Sequence, residues 1–366
     1  MFKRLTYGLF TTIILMVAHM AVAAEVTELD MSIVKVADRT TKTKNNALAQ
    51  ALHNVILKNT GNKSALSAPS IVAALNNPTA LIRQFGYQET DGQQYLRATF
   101  DHQKIIQLLR DAQLPVWGSQ RPLTLIWLSL QQDGQRAILN DSSTSENRAY
   151  IDELAQARGL PVLLPMMDLD DAMNVSISDV RGLFVDAIAN ASARYNTDYF
   201  IMSSIEPTAD NQFHYSMVLY PSTQSGVLFN PLVQDAGVVA DIDSALNQIF
   251  LTISEYYVSQ YAVADSGAAL STQLTFIDIT ERKQLVDIEN YLTQLSAVKQ
   301  VSLTRLQGGA AQFTLALFGT KEDLIRLLSL ESRIKPQSVL TPMPVGGADP
   351  LAPSQSETIN YIWLGH

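Results

Sequence analysis

The sequence predicts a chain of α/β and α+β class, with a central, mainly parallel α/β domain flanked by two smaller β-α-β-β-α modules. Three observations carry this. Leu123 to Leu130 is a near-continuous apolar run, the mark of a strand covered on both faces. Around it, strand-like runs alternate with segments whose apolar residues recur at helical spacing, the order of a parallel sheet with right-handed crossovers. Finally, Ala98 to Arg110 (ATFDHQKIIQLLR) echoes Ala316 to Leu328 (ALFGTKEDLIRLL), with one extra residue in the second copy. Each stretch closes a unit that opens with a strand and a long helix, so the ends of the chain read as related modules.

Taken in order, the first module opens with Met31 to Ala37, an alternating strand. A helix follows from about Thr43 to Asn59, with Ala47, Leu48, Ala51, Leu52, Val55 and Ile56 on one face, and Gly61 supplies a left-handed stop. Two short helices flank Pro78. A strand from Tyr95 to Phe100 then leads into a helix from Asp101 to Ala112, with Asp101 as its cap. Leu114-Pro115 ends the unit.

The middle region continues with a polar loop, Gln131 to Ser145, and a helix, Glu146 to Arg158, closed by Gly159. Pro161 to Pro165 reads as a second buried strand. Val180 to Ala191 repeats at helical spacing, and Tyr199 to Ile205 reads as a third strand. His214 to Tyr220 pairs with it as a hairpin, and Leu246 to Tyr261 is one amphipathic helix. Beyond a short linker come strand Gln273–Ile279, helix Glu281–Leu295, strand Lys299–Leu306, a Gly308-Gly309 turn, strand Gln312–Phe318 and helix Lys321–Leu330. Thr280 and Thr320 are expected caps, and Asn360 to Leu364 supplies a final strand that completes a ferredoxin-like unit. Domain boundaries follow: residues 1–24 a signal peptide, 25–114 the first module, 115–263 the central domain, and 270–366 the last module with a Pro/Gly connector at 341–357.

The opening segment sets the expected compartment. Lys3 and Arg4 precede an apolar run from Gly8 to Val17, and Ala21-Val22-Ala23-Ala24 supplies small residues for cleavage. With no cysteine in the chain, neither a lipid anchor nor a disulfide can form. The expected location is the periplasm of a Gram-negative envelope, with no integral membrane segment after cleavage. Loss of Lys3 and Arg4 takes the net charge from −9 to −11. An acidic exported chain argues against nucleic acid and against anionic lipid as partners, because both are held by clustered Lys and Arg.

Candidate chemistry is sparse. Asp168, Asp170 and Asp171 follow the expected second central strand, at a strand end where α/β sheets bind ligands or a divalent cation. The spacing lacks the Gly and distal Glu of a calcium loop, and a solvated turn before a short helix fits equally well. His53, His102, His214 and His366 have no second His at ligand spacing. No G-x-S-x-G occurs, and Ser176, Ser178 and Asp179 read as a helix cap. No catalytic residue, metal site or cofactor is assigned. Trp117 and Arg121 sit where the first module meets the central domain, and these residue types are enriched at binding hot spots. A Trp filling an interdomain seam is the plainer reading.

Three stretches together carry a family resemblance: Pro115 to Leu128 (PVWGSQRPLTLIWL), Arg158 to Asp171 (RGLPVLLPMMDLDD), and Ser176 to Val180 (SISDV) with Ala191 to Tyr195 (ASARY). With Val34 to Lys63, they resemble the exported proteobacterial domain of unknown function family 2066, over roughly Met31 to Tyr261. That resemblance implies compartment and architecture but no activity. The order of the central domain also looks like the TolB amino-terminal domain and the curli secretion factors, an analogy of fold alone. The resulting expectation is a non-enzymatic periplasmic protein that binds another cell-envelope component. The alternative is a periplasmic enzyme or small-ligand binder using the Asp168, Asp170 and Asp171 cluster. On the first reading, Trp117 and Arg121 form an exposed interaction surface, and the three carboxylates are dispensable for folding.

Overall fold

The computed structural model describes residues 28–90, 92–132, 134–222, 229–337 and 360–365. The expected signal peptide and the Pro/Gly connector 341–357 lie outside the described residues. The first module runs β1 (Met31–Lys35), α1 (Thr41–Thr60), α2 (Pro69–Asn76), β2 (Ile82–Thr90), β3 (Gln93–Phe100) and α3 (His102–Asp111). Its helices stop and start as their terminal residues dictate. Gly61 takes a left-handed conformation (φ 61°) after α1, and the Asp101 carboxylate accepts from the Lys104 amide to cap α3. The strands form an antiparallel sheet in the order β1-β3-β2, with the buried stripe of α1 against it. Strand β2 is absent from the sequence expectation.

The central domain comprises β4 (Thr124–Gln132), β5 (Gln135–Ile138), α4 (Glu146–Arg158), β6 (Val162–Leu163), α5 (Leu169–Asn174), α6 (Ile177–Arg181), α7 (Val185–Ser192), β7 (Tyr199–Pro207), β8 (Phe213–Pro221), β9 (Val233–Val239) and α8 (Ile242–Tyr261). Alternate residues of the buried strands face opposite sides. Ile126, Leu128, Ile201 and Leu219 meet the apolar stripes of α4 and α8, while Trp127, Phe200, Met202 and Tyr220 meet α6 and α7. The result is a three-layer α/β/α unit.

The expected mainly parallel sheet is corrected. In the order β5-β4-β7-β8-β9 only β4–β7 is parallel, with the two-residue β6 beside β4 as a second parallel contact. The reason is connectivity: β4–β5, β7–β8 and β8–β9 are antiparallel neighbours in sequence, and only the crossovers through α4 to β6 and through α5, α6 and α7 to β7 set strands parallel to β4. The expected second buried strand shrinks to Val162–Leu163, and Leu163 faces solvent. The single helix expected over Val180 to Ala191 is broken at Leu183, whose φ is 56°.

The last module runs β10 (Leu270–Ile277), α9 (Arg282–Gln294), β11 (Val298–Gln307), β12 (Ala310–Leu317), α10 (Lys321–Ser329), β13 (Ile334–Gln337) and β14 (Asn360–Trp363). Thr320 and Asp323 form the expected capping box, whereas α9 is capped by Glu281 with Gln284, one residue after Thr280. Ala311, Phe313, Leu315 and Leu317 of β12 join Ile288 and Leu292 of α9 and Leu324 and Leu328 of α10, so both helices cover one face. This core is continuous with the α4/α8 side of the central domain.

Both modules share β-α-β-β-α order, and in each the third strand lies antiparallel between the first two. Ser32 faces Ala98 in one, and Ser271 faces Ala316 in the other. The echo between Ala98–Arg110 and Ala316–Leu328 is thus structural. The ferredoxin-like expectation is altered at one point. β14 runs parallel to β10 and lies between β10 and β13, where a ferredoxin-like unit has one antiparallel strand.

Candidate functional site

The chain between β6 and α5 turns sharply through Met167 (φ 51°) and enters α5 at Asp168. The Asp168 carboxylate accepts from the Asp171 amide at 3.1 Å, which caps the helix. The same carboxylate takes a bidentate pair from Arg194, 2.8 and 2.7 Å. Hydrogen bonds from Arg194, then the Asp171 amide, lower its pKa to about 2. Asp171 is buried (1% exposed). Its carboxylate accepts from the Met167 amide at 2.9 Å, from Arg194 at 3.3 Å and from the Tyr195 hydroxyl, which in turn accepts from the Met166 amide at 2.8 Å. Desolvation, then the bond to Asp171, raises the Tyr195 phenol pKa, and the bond to Asp168 raises that of the Arg194 guanidinium.

These contacts correct the reading of Asp168, Asp170 and Asp171 as an open ligand cluster. Arg194 fills the space between Asp168 and Asp171, and Asp170 points outward, 3.9 Å from the same guanidinium with 79% of its side chain exposed. Among the described residues no group of three or more His, Asp or Glu side chains is arranged to hold a metal ion. The carboxylates are also not equivalent turn groups, since Asp171 holds the loop from inside.

The clasp presents an apolar surface. Leu169 and Met173, one turn apart on α5, are each 75% exposed, and Met166 (51%) and Phe184 (57%) flank them with Leu163. α5 packs against α7, at whose start Phe184 sits. Leu183, like Met167, holds a left-handed backbone conformation that costs a non-glycine residue on the order of 1 kcal/mol. Met166, Met167 and Met173 are three of the ten methionines, gathered within eight residues.

Trp117 and Arg121, expected as an exposed surface, are both buried, at 0% and 2%. The Arg121 guanidinium donates to five backbone carbonyls: Gly118 at 2.9 Å, Arg158 at 3.0 Å, Gly159 at 2.9 Å, Lys58 at 2.6 Å and Trp117 at 3.1 Å. Two of these, Lys58 and Arg158, belong to the last turns of α1 and α4, so one side chain caps a helix in each of two units. Full burial lowers its pKa. Arg110 plays a matching part at the end of α3. It donates to the carbonyls of Val263 and Ser296, both at 2.6 Å, and stacks on Phe318, joining the two related modules.

Two clefts mark the seams. One of about 640 Å³ lies between α1, α4 and α8, with Leu57, Arg158, Leu251 and Val258 among its walls. The other, about 600 Å³, lies between α3 and the end of α9, lined by His102, Gln107, Arg110 and Ser296. Neither contains the acidic clasp.

Comparison with known proteins follows this layout. The chain carries a DUF2066 domain at residues 270–354, the span of the last module from β10 through β13. Residues 23–118 match a second family, domain of unknown function (DUF8605), which covers the first module. The expected family is therefore present, but its span moves. The stretches from Pro115 to Tyr195 that suggested it lie outside the match. No curated protein matches the chain. Among solved structures, the LpoB C-terminal domain from Salmonella enterica is similar at 15% identity, covering 33% of this chain and 83% of that one, with a TM-score of 0.21. Formyltetrahydrofolate deformylase from Burkholderia mallei is similar at 13% identity, covering 55% and 89%, with a TM-score of 0.15. At these TM-scores neither likeness carries an argument.

Proposed function

We propose that this chain is a non-enzymatic binding protein of the bacterial periplasm, and that it holds another envelope protein on the surface formed by Met166, Leu169, Met173 and Phe184. One observation carries the reading: large apolar side chains stand in solvent on a segment held by a saturated network of Asp168, Asp171, Arg194 and Tyr195. An exposed apolar group of this kind marks an interaction site, and flexible methionines suit contact surfaces. Asp170 and Asp186 are exposed on α5 and α7, while Asp168 is neutralised by Arg194, so the partner surface is apolar and carries Lys or Arg. No helix among the described residues is long and apolar enough to cross a membrane. The deciding experiment is site-directed photocrosslinking in intact cells, with the crosslinker at Leu169 or Met173 and a control at Glu322. The reading expects one discrete adduct from the first two positions, lost on adding Asp170→Lys. Equal labelling from all three positions, or none from the patch, removes it.

A further inference from the structure

The cleft between α3 and the end of α9 holds two buried polar groups that the fold leaves unpaired. Arg110 is 8% exposed, and two of its nitrogens are given to carbonyls, Nη1 to Val263 and Nη2 to Ser296, both at 2.6 Å. Its Nε has no acceptor, and the buried hydroxyl of Ser296, the residue it already holds, has no partner either. Both side chains line the cleft, whose volume is about 600 Å³. Buried polar groups are nearly always paired, so two orphans on residues bonded to each other call for an acceptor from outside the chain. Gly118 keeps the approach open, since a side chain there would meet the Ser296 Oγ at 3.3 Å.

The charges around these groups favour an anion. Among the described residues no carboxylate comes within ion-pairing distance of Arg110, and Asp265 acts on it only from farther away. Lys299 lies 5.8 Å from the centre of the Phe318 ring on which Arg110 stacks. Asp30 is the acidic side chain in the wall, and the Lys58 charge lies in reach of it. The rest of the wall is largely apolar, with Leu29, Ile106, Val116, Leu295 and Phe318. We propose that this cleft binds a small carboxylate with an apolar body. The carboxylate accepts from the Arg110 Nε and the Ser296 hydroxyl, and the body lies on Leu29, Ile106 and Leu295. A peptide C-terminus and a fatty carboxylate share that chemistry. The site needs both end modules, because Arg110 lies in the DUF8605 match and Ser296 in the DUF2066 match. It is independent of the surface on α5 and α7.

Calorimetric titration of the full chain tests the site with N-acetyl-alanyl-alanyl-leucine as the free acid, the same peptide as its carboxamide, and octanoate. The expected result is a Kd below about 1 mM for a free acid, with the carboxamide at least about tenfold weaker than the peptide acid or octanoate. Tighter binding of octanoate makes the source a fatty carboxylate, tighter binding of the peptide acid makes it a peptide end, and either result supports the site. Ser296→Ala is the deciding variant, since it removes a hydroxyl that the fold does not use. It should keep the urea midpoint of the unaltered chain and weaken the acid about tenfold, the loss of one bond to a charged group. Hydrogen exchange then locates the contact, and the acid should slow residues 102–110 and 293–298. The proposal fails if neither acid binds by about 1 mM, or if the carboxamide binds as tightly. It also fails if Ser296→Ala keeps full affinity, or if slowing appears only around the cleft between α1, α4 and α8. A lowered urea midpoint for Ser296→Ala would overturn it too, because the hydroxyl would then be serving the fold itself.

Discussion

The Arg121 guanidinium carbon lies 3.7 Å from the centre of the Trp117 ring, with every N–H of the guanidinium given to a backbone carbonyl. Among the described residues no carboxylate lies within ion-pairing distance of it. The charge is held instead by the indole face and by carbonyls at the ends of α1 and α4, where helix dipoles favour a cation. Gly159 is left-handed at φ 63°, and a side chain there would meet the Arg121 guanidinium at 2.6 Å. The junction is thus a buried joint, in which Arg121 ties the ends of α1 and α4 together beside the Trp117–Asn59 and Val116–Val263 backbone bonds.

Arg121→Met should therefore act on both units together. It removes five bonds to a charged donor and leaves helix-end carbonyls buried, a loss of about 3 kcal/mol. Arg121→Lys should recover little of it, since an ammonium offers three donors from a single point. Urea unfolding of the three proteins checks the order. A midpoint for Arg121→Met equal to that of the unaltered chain would dismiss the joint.

Alkaline pH should destabilise the central domain. Tyr199, Tyr257 and Tyr261 form a buried ring cluster, with Tyr257 sharing a hydrogen bond with Thr124 at 2.6 Å and Tyr199 with Tyr261 at 2.5 Å. Desolvation raises the pKa of all three phenols, and it pushes Tyr215 up to about 12 with help from Asp235. Above pH 10 the unfolded chain loses phenolic protons that the folded chain keeps. Their stabilising effect is therefore complete below pH 10 and falls away as pH rises through the folded values. Burial also lowers the pKa of Arg121 and Arg110, but a guanidinium whose N–H groups are given to carbonyls keeps its proton across this range. The tyrosines therefore set the net direction. Unfolding midpoints at pH 8, 10 and 11 should fall, and Tyr257→Phe should flatten the decline.

The features legible in the sequence were those that local chemistry decides. Gly61, Gly159, Asp101 and Thr320 end or begin helices as expected, because a cap depends on a few adjacent residues. Strand β2 was missed although Asp91-Gly92 is a strong hairpin signal, since Arg83, Gln84 and Phe85 all face solvent and leave no apolar alternation. β9 failed for a similar reason, as a part-exposed edge strand. The direction of the central sheet depends on which strands pair, which the order of elements does not state. Trp117 and Arg121 were correctly placed at the junction, but the sequence is silent on whether a junction is open. That depended on α1 and α4 ending at the same point in space. Likewise, the three aspartates were visible while Arg194, more than twenty residues away, was not connected to them.

Asp171→Asn should release the loop without unfolding the domain. The amide keeps the volume but weakens the bonds from the Met167 amide, Arg194 and Tyr195, at a cost of about 2 kcal/mol. Hydrogen exchange should quicken at residues 166–174 and stay unchanged in β7 and β8. Uniform quickening across the central domain would show that Asp171 supports the whole fold and not the clasp alone. Asp168 sets the acid side of the same effect. Its carboxyl is lowered from 3.8 to about 2, so its contribution is present above pH 4 and lost as pH falls toward 2.

The apolar patch should behave in the opposite manner, costly for binding and neutral for folding. Leu169 and Met173 keep three quarters of their surface in water, so replacing them removes little buried area. Leu169→Asp and Met173→Asp should each change stability by no more than about 0.5 kcal/mol, the range of ordinary surface substitutions. Added together they place two carboxylates against the apolar surface proposed as the partner, where contact would strip them of water. The double variant should keep the urea midpoint of the unaltered chain while losing the photocrosslinked adduct formed through Phe184. A double variant that retains the adduct would show that the partner does not touch α5. One that unfolds early would show that Leu169 and Met173 are covered by the protein itself, and the surface would no longer mark a contact site.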